Sequence, residues 1–97
     1  MSWKFDQAPT VACITCQSVI DGHPVLIVTH YEDDGSWAFM NEASTDMAMA
    51  LVVAMSEVIE RHPYLEEIAS LPPGWSATRV ASGQPWTKYQ DGWDAQP

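Results

Sequence analysis

Residues 24–31 read PVLIVTHY, and the fold turns on where that run is placed. Val25, Leu26, Ile27 and Val28 are apolar at consecutive positions, so both faces of a strand through them would be covered, which predicts an interior strand. Turn chemistry brackets the run: Asp21-Gly22 precedes it, with Gly22 able to take a positive φ, and Glu32-Asp33-Asp34-Gly35 follows it. Upstream, VACITCQSVI at 11–20 is rich in β-branched side chains and reads as a strand. Downstream, SWAFMN at 36–41 puts Trp37 and Phe39 on one face and Ala38 and Met40 on the other. Strand, turn, strand, turn, strand predicts a three-stranded antiparallel meander.

The pattern changes at Ser44-Thr45-Asp46, where a hydroxyl cap and an early acidic residue favour a helix start. Ala48, Leu51, Val52, Met55, Val58 and Ile59 recur at helical spacing as a stripe to be buried, and Pro63 ends the run, which predicts a helix over 45–61. Its other face carries Met49, Ala50 and Val53, apolar where water would be expected, so either the chain's own tail or a partner covers it. Pro63 suits the first position of a second, short helix with Leu65, Ile68 and Leu71 on one side. Pro72-Pro73-Gly74 turns the chain into WSATRVA at 75–81, a fourth strand. The expected class is α+β: an antiparallel sheet of three to four strands with one main helix and one short helix packed against it. Residues 1–10 form an irregular lead-in, 11–87 the single domain, and 88–97 a partly mobile tail.

A chain of 97 residues supports one core, and 46% hydrophobic residues with five Trp are enough to close it without disulfides. Against 13 Asp and Glu stand only Lys4, Arg61, Arg79 and Lys88, a net charge of -9. Binding to nucleic acid or to an anionic membrane needs clustered cations, so both are excluded as expectations. A basic protein partner is what such a surface would attract. The N-terminus lacks a basic segment followed by an apolar run, and Met47 to Met55 covers about half of the ~20 residues of a membrane span. A cytoplasmic, bacterial-type protein is expected.

Cys13-Ile14-Thr15-Cys16 is a C-x-x-C whose flanks favour strand, where residues three apart sit about 10 Å from each other, too far for a disulfide. Two readings compete for these thiols. With His23 and His30 they make a sulfur and imidazole set that zinc accepts, giving a small zinc-binding domain. Against that, the pair lacks the glycines of a zinc knuckle, and the preferred reading makes the cysteines core residues and no cofactor is bound. Nothing in the sequence assembles a catalytic set: no G-x-S-x-G, no H-E-x-x-H, no phosphate-cradling glycine loop. The expectation is therefore a protein that is not an enzyme. Trp75, Arg79 and Trp86 admit either structural use or a shared recognition groove, since Trp and Arg are enriched where partners bind.

The segments CITCQSVIDGHPVLIVTHYEDDGSWAF (13–39) and HPYLEEIASLPPGWSATRV (62–80), with Pro85-Trp86 beyond, resemble patterns in small bacterial proteins of domain-of-unknown-function families. Some of those families look like immunity proteins encoded beside secreted toxins. The resemblance implies an α+β fold and brings no catalytic residue. Together these readings point to a non-enzymatic interaction protein, immunity-like, that binds a protein partner or itself as a homodimer. Its contacts would come from Met49, Ala50, Val53, Trp75, Arg79 and Trp86.

Overall fold

The structure is a computed structural model that describes residues 3–33, 35–41 and 50–90. In chain order the elements are β1 (Ala12–Cys16), α1 (Gln17–Ile20), β2 (Ile27–His30), β3 (Trp37–Met40), β4 (Ala50–Ala54) and α2 (Met55–Arg61). A 3₁₀ helix (Pro63–Ile68), β5 (Trp75–Thr78) and β6 (Thr87–Gln90) follow.

Hydrogen bonding gathers all six strands into one sheet, in the order β4-β1-β3-β2-β5-β6. Its β1–β3 pair is parallel, with Ile14 opposite Ala38, and the other pairs are antiparallel. This corrects the expected three- to four-stranded antiparallel sheet. The cause lies at Cys16. The run 11–20 does not stay extended: Cys16 (φ -136, ψ 164) ends the strand, and Gln17–Ile20 coils into a helical turn closed by the Asp21 N–H on the Gln17 carbonyl. The chain leaves that turn through Gly22, whose φ of 105 suits a residue without Cβ. It then lays β2 two places away from β1. The β2–β3 hairpin returns β3 into the gap, and so β3 runs parallel to β1. A meander would have needed a tight turn where α1 stands.

A second correction concerns the helix expected over 45–61. Of the described part of that run, Met55–Arg61 is helical, and Ala50–Ala54 is a strand paired with β1 from Ala12↔Ala54 to Cys16↔Ala50. Residues 45–49 lie outside the described residues. Leu51-Val52-Val53 tolerates either state locally, because branched side chains lose χ1 freedom in a helix and pack well on a pleated surface. The backbone of β1 decides for the strand. Val52, expected in the buried stripe, is 72% exposed.

The strand registers put Cys13, Thr15, Val28, His30, Trp37, Phe39 and Ala77 on one face of the sheet, and all are buried. Met55, Val58 and Ile59 of α2, with Leu65 and Ile68 of the 3₁₀ helix, complete the core there. Each such side chain contributes about 1.5–3 kcal/mol on burial. Phe5 joins from the lead-in, its ring edge-on to Trp37 at 5.0 Å and to Phe39 at 6.1 Å. The turn into β5 is tight: Trp75 N–H reaches the Pro72 carbonyl at 3.2 Å, with Gly74 at φ +84 in the third place. Among the described residues, no helix is long and apolar enough to cross a membrane.

Candidate functional site

The four residues read as a zinc set are not brought together. Cys13 sits on the helix-covered face of β1 at 1% exposure, and burial pushes its thiol from the usual 9.0 up to about 12, which keeps it protonated and a poor ligand. Cys16, also buried, places its Sγ 3.2 Å from the Ser18 hydroxyl, and both cysteines are free thiols. His23 is exposed in the loop before β2, whereas His30 is buried at the far end of that strand. Among the described residues, no three His, Cys, Asp or Glu side chains stand together in a way that would hold a metal ion.

The two buried histidines are engaged in the fold. His30 stacks on Trp37 with ring centroids 3.9 Å apart, and its Nδ1–H donates to the Leu71 carbonyl at 2.7 Å. Asp6 closes the other side: Oδ2 lies 3.4 Å from His30 Nε2, and Oδ1 accepts the Trp37 indole N–H at 3.1 Å. His62 uses both nitrogens. Its Nε2–H donates to the Val19 carbonyl at 2.8 Å, while Nδ1 accepts the Tyr64 hydroxyl at 3.1 Å. That hydroxyl in turn accepts the Val25 N–H at 2.8 Å.

Arg79 is the unusual group. It follows β5, extends the ladder by donating its own N–H to the Leu26 carbonyl at 3.0 Å, and is buried to 9% exposure. Its guanidinium lies over the rings of both Tyr64 and Trp86, each centroid 4.5 Å from Cζ. Nε–H donates to the Val25 carbonyl at 3.2 Å, yet Nη2 is buried with no hydrogen-bond partner among the described residues. A buried cation without a counter-charge costs several kcal/mol, and two cation–π contacts of about 0.5–2 kcal/mol each offset part of that. A cavity of about 270 Å³ opens beside it, lined by Tyr64, Glu67, Arg79, Ser82, Gly83 and Gln84. Glu67 fixes Trp86 by accepting its indole N–H at 2.7 Å.

Of the three residues expected to share a groove, Arg79 and Trp86 therefore meet. Trp75 does not: it pairs with His30 at the other end of β5 and is half-buried. Tyr64 is not singled out by sequence, Glu67 reads only as half of a solvated Glu66-Glu67 pair, and Gly83 only as a break after the fourth strand. The signal available was Gly83, whose φ of +82 marks the tight turn behind the cavity.

The sheet's two edges differ in chemistry. β6 presents Thr87, Lys88 and Gln90, all exposed. A lysine on an edge strand discourages further pairing. β4 reads ALVVA, with no charge and no proline, and among the described residues it pairs on one side only, with β1. Val52 projects from it exposed, Ala50 is half-buried, and Val53 packs against the core. Met49 lies outside the described residues. α2 continues directly from β4 and carries exposed Glu57 and Glu60. Ile59, Glu60, Trp3, Pro9 and Glu66 border an open apolar cleft of about 550 Å³. Compared with protein-family models, curated proteins and solved structures, the chain matches none.

Proposed function

We propose that this protein is a binding protein rather than an enzyme, and that it takes up an extended segment of a basic protein partner along β4. The observation that carries the reading is the asymmetry of the edges: an uncharged ALVVA strand with Val52 72% exposed, against a β6 edge guarded by Lys88. An unpaired strand edge offers a row of N–H and C=O groups, and strand addition uses them for affinity while alternate side chains give selectivity. Charge supports a basic occupant. The whole chain carries -9, and Glu57 and Glu60 stand on the helix that follows the edge. Two copies of so acidic a chain repel each other, whereas a basic partner is drawn in. An immunity-type role, in which an acidic protein caps a basic toxin, fits this reading.

The test is affinity capture by the wild-type chain and by Val52→Lys over a salt series, with the mass of the purified chain measured alongside. The expected result is a basic protein held at low salt, released as salt rises, and absent from the Val52→Lys column. Identical captures by both chains would contradict it, as would a wild-type dimer that Val52→Lys reduces to a monomer, because β4 would then pair with itself.

A further inference from the structure

We infer that the cavity beside Arg79 is a binding site for a small zwitterion of the α-amino acid type, with the carboxylate on Arg79 and the ammonium on Glu67. Arg79 is nine-tenths buried, lines the cavity, and holds an Nη2 donor without a partner among the described residues. Buried guanidinium groups in folded proteins are matched by acceptors, and a planar carboxylate is the acceptor whose geometry fits the guanidinium fork. Tyr64 and Trp86 each lie against the guanidinium with a ring centroid 4.5 Å from Cζ, and a carboxylate addresses its N–H edge. Nη2 is itself buried, so the carboxylate reaches it only by a local opening at the Arg79 side of the cavity.

The rest of the lining selects against a simple anion. Glu67 borders the same cavity, and one Trp86 N–H bond leaves its carboxylate with further acceptor capacity. A chain of net charge -9 repels anions, whereas a zwitterion carries no net charge and meets Arg79 and Glu67 at once. Ser82 and Gln84 add polar groups at the mouth. At about 270 Å³ the space sits at the low end of small-molecule sites and has room for a small amino acid. This site is independent of the β4 edge, and either reading can fail alone.

Titration of the full chain with glycine, L-alanine and L-serine, followed by the NMR signals of the Trp86 indole N–H and the Ser82–Gln84 amides, tests it. Acetate and methylammonium, each carrying half of the recognised pattern, are the controls. Saturable shifts with the amino acids and much weaker responses to either half are expected. Glu67→Gln should weaken the amino acids by about tenfold or more while acetate binds no more weakly than before; Arg79→Lys should abolish binding. Because Glu67 is exposed, the first variant keeps the test valid if the second does not fold. Absence of saturable shifts, or acetate binding as tightly as alanine in both wild type and Glu67→Gln, would overturn the assignment.

Discussion

Tyr64 shows how one hydroxyl can hold two elements. It takes the Val25 N–H and gives its proton to His62, whose ring reaches on to the Val19 carbonyl, so the loop before β2, the end of α1 and the end of α2 are joined by one chain of bonds. Tyr64→Phe leaves the Val25 N–H and His62 Nδ1 without partners and should cost about 1–3 kcal/mol, read from urea denaturation. Cys13 gives a pH signature. Below pH 9.0 folded and unfolded chains both keep the thiol proton; between 9.0 and about 12 only the folded chain keeps it. The unfolded state then binds fewer protons, so stability falls as pH rises, by about 1.4 kcal/mol per unit across that window. Urea midpoints measured from neutral to strongly alkaline pH should show this slope in the wild type and lose it in Cys13→Ala. An equal slope in the two chains would contradict the buried thiol.

At the scale of elements, the sequence marked where strands and turns lie better than how they pair. β2, β3, β5 and the Pro63 helix fall within the runs read from apolar spacing and turn residues. Three elements escaped: Thr87–Gln90 is a strand that begins at the expected domain end and runs into the expected tail, and two others share one reason. Gln17–Ile20 and Ala50–Ala54 each sit in a run whose local preference is divided between helix and strand, and long-range pairing with β1 decided the second. No periodicity within a single segment reports the edge of a strand formed elsewhere. The Pro72-Pro73-Gly74 turn was legible because its chemistry is local. Gly74→Ala forces a Cβ into φ +84, while its contact with Glu32 at 3.5 Å is an ordinary one, so the backbone strain alone should destabilise the fold by about 1 kcal/mol, read as a lowered Tm. Val52→Lys, on an exposed edge position, should leave Tm unchanged.

Across the whole molecule, charge and sheet order act together. The net charge of -9 is spread over the chain, yet the β4 edge itself is uncharged; on the proposed reading, attraction would operate at a distance and pairing at contact. Partner association should accordingly slow as ionic strength rises, while dissociation changes little. Half of the candidate site was legible: Arg79 and Trp86 stood out as a rare cation and a large aromatic, but their meeting with Tyr64 and Glu67 depends on a fold that returns residues 64–67 beneath the 79–86 loop. The expected exposed face of Met49, Ala50 and Val53 rested on a helix, and once Ala50–Ala54 is extended, Val52 takes the outward position that Val53 was assigned. The most direct measurement places a photo-activatable cross-linker at position 52 and, separately, at position 88 of the full chain in its native cell. The account predicts a cross-link to a basic protein from position 52 and none from position 88. Cross-links from position 88 alone, or from 52 to a second copy of the chain, would contradict it.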